Sequence, residues 1–288
     1  MSSNLDERTV TGFGEEWQSF DQSTLSDSER LELFDQYFQI FPWHLLPEGA
    51  EGFDLGCGSG RWASLVAPRV GTLHCIDASP AALDVARRNL AGNPACKFHL
   101  ASVEDLPLPD AGMDFGYSLG VLHHVPNPAA GIRSCVAKLK PGAPFLVYLY
   151  YALDNRRPWF RMLWRASDAV RRVVSRLPHR LKLIFSTLVA ATVYLPLART
   201  AALVERFGGD PERFPLGFYR RRSFYTMRTD AYDRFSTRLE QRFTRAEIGQ
   251  LMIEGGLSNV RFSDNAPYWC AVGQRDPDRL LGQSPDKS

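Results

Sequence analysis

The 288-residue chain is short of the features that mark several function classes. Its five cysteines (Cys57, Cys75, Cys96, Cys135, Cys270) are odd in number and never fall in CxxC spacing. That argues against a disulfide framework or a zinc site, and for a reducing cytoplasm; no bound metal is expected. The stretch Met1 to Glu7 has no basic segment leading into an apolar core, so no signal peptide is expected and the location expected is cytoplasmic. No internal repeat, metal-ligand cluster or catalytic triad is visible. No RNA- or DNA-binding motif accompanies the basic residues, so nucleic acid is not an expected partner.

Charge is nearly balanced, at +2 overall, but unevenly spread. Residues 155–228 hold 16 Arg/Lys against 4 Asp/Glu, which leaves the rest of the chain at −10. A basic segment in an acidic body suits an anionic partner such as phosphate, carboxylate or an acidic lipid headgroup; a solvated helical face would carry the same charges. Hydrophobic residues at 44% and aromatics at 12% are ample for a packed core.

The most informative stretch is Phe53-Asp54-Leu55-Gly56-Cys57-Gly58-Ser59-Gly60, an apolar strand running into three alternating glycines. Glycine lets the backbone turn tightly and approach a ligand where a Cβ would collide. A helix is expected over about 61–68, and Thr72 to Asp77 reads as a second strand ending in a carboxylate. A glycine loop followed one strand later by an acid suits a nucleoside cofactor, with the acid on the ribose hydroxyls. The dinucleotide fingerprint G-x-G-x-x-G fits poorly, because these glycines are spaced by two throughout.

Around this loop, strands and helices alternate from Glu51 to Tyr151, the pattern of a parallel α/β sheet. Ser79-Pro80 opens a helix to about Leu90, and Ala95–Ala101, Gly112–Leu119 and Phe145–Tyr151 read as further strands. Ser26-Asp27-Ser28-Glu29 has capping-box spacing and starts a helix ended by Pro42, expected to cover one side of the ligand pocket. Residues 1–25 read as a polar arm. From Pro158 to about Phe207 the pattern is almost wholly helical, with Trp159, Leu163, Ala166, Val170, Val173 and Leu177 on one stripe and Arg161, Arg165, Arg172 and Arg176 on another. Leu181–Leu195 is apolar but short for a membrane span, and Pro196 and Arg199 follow it closely. A buried lid helix is the preferred reading, and a helix lying in a membrane interface the alternative. Phe218–Thr229 reads as a loop. Thr244 caps a helix ending at Gly255-Gly256, and two strands follow, Leu257–Phe262 and Tyr268–Gly273. The organisation is an arm and cap helix (1–49), a cofactor-binding core (50–151), a helical basic insertion (152–239), a closing helix and strand pair (240–274) and a tail (275–288).

With these motifs the chain resembles the class I S-adenosylmethionine-dependent methyltransferases, in particular the broad small-molecule group that includes quinone-biosynthesis enzymes. Asp54 to Gly60 resembles that family's first motif and Asp77 its ribose-binding acid. Glu104-Asp105-Leu106-Pro107, Met113-Asp114-Phe115, Leu122-His123-His124-Val125 and Lys140-Pro141-Gly142 follow in the family's order. The resemblance implies a Rossmann-like, mostly parallel seven-stranded sheet with helices on both faces, its last strand antiparallel, and a helical lid after the fifth strand. It implies S-adenosylmethionine as cofactor and S-adenosylhomocysteine as product. The cofactor-binding residues would be Asp54 (on the methionine amine), Gly56, Cys57, Gly58, Gly60, Asp77, Ala78, Ser102, Val103 and Leu119. Ser102 stands where the family often has an acid for the adenine amine, and its hydroxyl can accept that bond more weakly.

His123 and His124 would be the catalytic candidates, because the loop after the fourth strand opens onto the methyl group in this family; as adjacent residues they could equally be packed or surface histidines. Tyr150, Tyr151, Asp154, Arg222 and Tyr225 would meet the acceptor, a small or lipid-linked metabolite of anionic or amphiphilic character. Peripheral contact with the inner membrane face is compatible with the basic insertion. Two other readings stay open, an NAD-dependent oxidoreductase and a non-catalytic cofactor-binding protein of the membrane surface. The acceptor atom and the oligomeric state are not legible in the residues.

Overall fold

The computed structural model describes residues 4–211 and 214–278. Contacts divide the chain into two units: Met1–Gln18, Arg30–Asp154 and Leu239–Ser288 form the first, Ser19–Glu29 and Asn155–Arg238 the second.

The first unit is built on a seven-stranded sheet. Its strands are β1 (Glu51–Leu55), β2 (Thr72–Asp77), β3 (Cys96–Leu100), β4 (Phe115–Leu119), β5 (Pro144–Tyr148), β6 (Leu257–Phe262) and β7 (Cys270–Arg275). The order is β3-β2-β1-β4-β5-β7-β6; β7 runs antiparallel to both neighbours and the remaining pairs are parallel. Strands β4 and β5 are apolar and almost wholly buried, as strands covered on both faces must be. The sheet order reverses between β1 and β4, and ligands of open α/β sheets bind outside the strand ends at such a point.

The helices start where local chemistry caps them. Ser79 Oγ accepts the Ala82 N–H at the head of α4 (Pro80–Asn89), and Asn127 accepts the Ala130 N–H at the head of α5 (Pro128–Lys138). Thr244 and Glu247 form a reciprocal capping box on α10 (Arg245–Glu254). Three expectations change. The arm at 1–25 contains α1 (Glu7–Ser19), started by the Asp6 carboxylate accepting the Thr9 N–H at 2.7 Å. The helix after the glycine loop is a single turn, α3 (Ala63–Val66), because Pro68 can supply no N–H to continue it. The helix capped by Ser26 is α2 (Asp27–Phe38), whose Tyr37 and Phe38 pack on Trp62, Tyr148 and Tyr117 rather than on a cleft. The tail expected at 275–288 is described only to residue 278; 279–288 lie outside the described residues.

The second unit is helical: α6 (Pro158–Val174), α7 (His179–Val189), α8 (Leu195–Arg206) and α9 (Phe224–Ser236). The helical reading to about Phe207 holds through Pro196. A π-helical segment over Ala190–Tyr194 joins α7 to α8 in one 28-residue helix, His179–Arg206. Proline clashes with the carbonyl four residues earlier, and widening the preceding turn accommodates it. The loop expected at 218–229 gives way to α9, capped by Ser223 Oγ on the Thr226 N–H. Its Met227 and Ala231 pack with Ala190, Tyr194 and Ala198 of the long helix into a small apolar core.

Beside that core lies a buried ionic cluster. Arg171 Nε donates to Asp168 Oδ1 at 2.8 Å, and Arg171 Nη1 donates to the carbonyls of Thr237 (2.8 Å) and Arg238 (3.1 Å). Burial pushes the Asp168 carboxyl up, but the Arg171 hydrogen bond and the charges of Arg171, Arg234 and Arg172 outweigh it, so the group ends below its ordinary range. A depressed carboxyl adds stability at pH values above its unfolded range and loses it on acidification through the folded value. Asp168→Asn, which leaves Arg171 buried without its counter-charge, is therefore expected to cost about 3 kcal/mol near neutral pH. Hydrogen exchange should show α6 and α9 amides losing protection roughly a hundredfold while the sheet amides hold. The gap from wild type should shrink below about pH 4.

Candidate active site

A cleft opens at the carboxyl ends of β1, β2 and β4 in the first unit, where open α/β sheets bind ligands. Leu55 and Gly56 contribute from β1 and its turn, Asp77 and Ala78 from β2, Ala101 and Val103 from beyond β3, and Leu119 to Val121 from β4. Helix α1 supplies a further wall with Thr9, Val10, Phe13 and Trp17, and His124 and Val125 complete the lining.

Asp77 ties the site together. Its Oδ2 accepts the Gly58 N–H at 2.9 Å and its Oδ1 the Ser79 N–H at 2.8 Å. Desolvation raises its pKa, against the opposing pull of those backbone N–H groups. Of the three loop glycines only Gly56 lines the cleft: its φ is +75°, and a Cβ there would sit 2.3 Å from Val121 Cγ2. Gly58 lies under Trp17, whose ring would be 2.7 Å from an added Cβ, and Gly60 lies against Leu90. These two and Cys57 are buried and shape the turn rather than line the cleft.

Asp54 also stands back from the cleft. It is 1% exposed and accepts the Tyr117 hydroxyl at 3.0 Å. Burial pushes its carboxyl up to about 8, opposed by the Tyr117 bond and assisted by the nearby charge of Asp77. Val103, Ala78 and Leu119 line the cleft, as does Ala101, which the sequence reading missed. Ser102 instead accepts the Glu104 N–H at 3.3 Å.

The two histidines separate sharply. His123 is 0% exposed and stacks on Tyr150 at 3.8 Å between ring centroids; burial first, then the charges of His124 and Arg242, hold its pKa well below the ordinary value. It is a neutral packing residue. His124 lines the cleft, with Phe13 4.8 Å away, and its Nδ1 lies 2.6 Å from the Leu239 carbonyl. A carbonyl only accepts, so Nδ1 carries the hydrogen, and Nε2 of the neutral ring is the acceptor. The segment 239–243 fixes this turn: Gln241 donates through its N–H to the His123 carbonyl and through Nε2 to the Val125 carbonyl. Nothing in the residue pattern singled out Gln241.

The expected acceptor residues hold structural posts. Tyr150 stacks on His123, Tyr151 bridges to Phe243, and Asp154 accepts the Arg245 N–H and the Trp269 Nε1–H, each at 3.0 Å. None of the three lines the cleft. Arg222 and Tyr225 belong to the second unit. There the Arg222 guanidinium lies 4.9 Å from the Phe218 ring centre, and the Tyr225 hydroxyl accepts the Gln22 N–H at 2.8 Å.

The cleft lining contains two carboxylates, Asp6 and Asp77, and no lysine or arginine. A pyrophosphate would meet negative charge, with only the single-turn α3 after the glycine loop to set its dipole against. A nucleoside carrying a cationic chain meets carboxylates and the aromatic faces of Phe13 and Trp17. The residues present fit S-adenosylmethionine.

Comparison with known proteins agrees. Residues 53–147 match the family model described as a methyltransferase domain. Over those residues the chain is similar to methyltransferase domains. It is similar to the ubiquinone biosynthesis O-methyltransferases of Xanthomonas axonopodis pv. citri (36% identical over 116 residues, 40% of this chain and 47% of the relative) and of Xanthomonas oryzae pv. oryzae strain PXO99A (32% over 137 residues, 46% and 56%). The chain thus spans about half the length of the curated relatives it matches. Among solved structures it is similar to a SAM-dependent methyltransferase from Aquifex aeolicus (16% identical, 89% of this chain and 96% of that one, TM-score 0.50) and another from Methanosarcina mazei (17%, 82% and 98%, 0.50); at such identities these show the fold alone. These similarities and the cleft lining favour S-adenosylmethionine as the ligand, and neither the dinucleotide reading nor the non-catalytic one is supported.

Two measurements follow from this geometry. Asp77→Asn is expected to weaken S-adenosylmethionine binding in calorimetry by roughly 10- to 100-fold, the size of a lost hydrogen bond to a charged group, with NAD binding to neither protein. Asp54, raised in the fold, contributes stability that is complete below its unfolded value near 4 and lost as pH climbs through about 8. Asp54→Asn should therefore flatten the fall of melting temperature between pH 5 and 8.

Proposed function

We propose that the chain is an S-adenosylmethionine-dependent methyltransferase that methylates oxygen, on a small acceptor bearing a phenolic or enolic hydroxyl. The observation that carries this reading is His124 on the cleft wall, its Nδ1–H held by the Leu239 carbonyl so that Nε2 is the basic atom. Sulfur and neutral amine acceptors have less need of such a base, whereas a hydroxyl must lose its proton as the new bond forms. The names of the Xanthomonas relatives, both O-methyltransferases, support the same atom class.

When bound, S-adenosylmethionine supplies an activated methyl on a sulfonium and leaves as S-adenosylhomocysteine. Asp77 and the Gly56 turn would hold the nucleoside, Val103 and Ala101 would border the base, and Phe13 with Trp17 would exclude water above the loop. His124 Nε2 takes the hydroxyl proton while the acceptor oxygen gains the methyl. Gln241 is a positioning residue, since it grips the backbone on either side of His124. Most of the rate gain comes from alignment of the two reactants in a closed cleft.

The test is turnover of phenolic and catecholic acceptors with labelled cofactor, the methylated atom being located by NMR. His124→Asn is expected to lower kcat by about 100-fold or more with cofactor affinity nearly unchanged. A product methylated on nitrogen or carbon, or a His124→Asn enzyme with wild-type kcat, would overturn the reading.

A further inference from the structure

The second unit is built inside out along two of its helices. On α6, Asp168, Arg171 and Ser175 face inward, whereas Trp159, Met162, Leu163, Ala166, Val170 and Val173 face solvent. Met162 is 69% exposed and Val173 64%. At 3.6 residues per turn these six apolar side chains form one stripe, and the exposed Arg161, Arg165, Arg172 and Arg176 form a second stripe along its border. The long helix repeats the pattern: Lys182 and Ser186 are buried, while Leu181, Ile184 and Leu188 are about half exposed. Both helices pack their other faces on α9, so the apolar stripes are the faces left outward.

We propose that these two helix faces dock on an anionic phospholipid bilayer, lying in its interface plane. An apolar stripe bordered by arginines is the composition that such helices use, the apolar side entering the acyl boundary and the guanidinium groups meeting phosphates. Residues 155–206 hold 11 Arg/Lys against 2 Asp/Glu, and one of those acids, Asp168, is already committed to Arg171. The charge selects among occupants. A second copy of the chain would set arginine stripe against arginine stripe in a two-fold contact, whereas anionic headgroups neutralise it. Length does not make the 28-residue helix a span, although its mean hydropathy is 1.7 over the most apolar stretch. Its Lys182, Ser186, Ala190, Tyr194, Ala198 and Ala201 are buried along the whole length against the unit's own helices, and a span would strip that face bare. The inference is independent of methyl transfer.

The experiment is co-sedimentation of the full chain with phosphatidylglycerol-containing vesicles and with pure phosphatidylcholine vesicles, in low and high salt. Binding to the anionic vesicles is expected to exceed binding to the neutral ones by about tenfold or more and to weaken with salt. Reversal of Arg161, Arg165 and Arg176 to Glu, which leaves Arg172 on Asp168, should remove it, with S-adenosylmethionine affinity retained as the check on folding. Met162→Ser with Val173→Ser, at sites exposed in the fold, provides a second variant, and should weaken binding even at low salt. Absence of binding to the anionic vesicles, equal binding by both variants, or a concentration-dependent dimer that the serine variant abolishes in a protein blind to lipid would each overturn the proposal.

Discussion

The hydrogen bond from the Gly58 N–H to the Asp77 carboxylate is the constraint on which the cofactor site rests. It closes the turn after β1 onto the end of β2, and parallel pairing of Leu55 with Ile76 brings those two ends level. Because that turn needs positive φ at Gly56, Gly58 and Gly60, no side chain can stand in its concavity. The carboxylate therefore has one face toward the loop and one toward the cleft. A ribose offers hydroxyl donors where the backbone has already oriented the acceptor, so binding requires little rearrangement of the acid.

Helix α1 lays Trp17 over Gly58 and brings Gly14 against Ser79, where a Cβ would lie 2.6 Å from the hydroxyl. That contact explains why a helix wall of the cleft was illegible in the residues. Gly12 and Gly14 depress helix propensity within a polar stretch, and the close approach that requires Gly14 involves Ser79, far away in sequence. The glycine loop and Asp77, by contrast, are local signals separated by one strand, and the alternation from Glu51 to Tyr151 announced the sheet directly. The π-helical turn before Pro196 was hidden, because such a turn is not encoded in any simple periodicity. Helix α9 was hidden by its arginines and tyrosines, although Ser223 and the spacing of Met227, Ala231 and Tyr232 carried its signature. His123 and His124 could not be told apart by type or position. The Leu239 carbonyl distinguishes them by fixing one ring, whereas packing under Tyr150 silences the other.

The same chain uses burial of charge in two opposite ways. Asp54 is buried beside a hydroxyl and another acid, so the fold favours its protonated form. Asp168 is buried beside arginines, so the fold favours its charged form. One weakens the sheet unit as pH rises and the other weakens the helical unit as pH falls, which places the common optimum between their titrations. The neighbouring groups decide the sign in each case, since both carboxylates have lost most of their water.

Segregation of charge along the chain then becomes intelligible. Among the described residues the charged groups of the cleft lining are Asp6 and Asp77, and the sulfonium proposed for the cleft favours a lining without lysine or arginine. A surface that selects anions has to concentrate them, as residues 155–206 do. The two requirements are incompatible within one lining, because cations placed for headgroups or acidic partners would repel the cofactor within a Debye length of about 8–10 Å. A net charge of +2 conceals this division: residues 155–228 stand at +12 and the rest of the chain at −10.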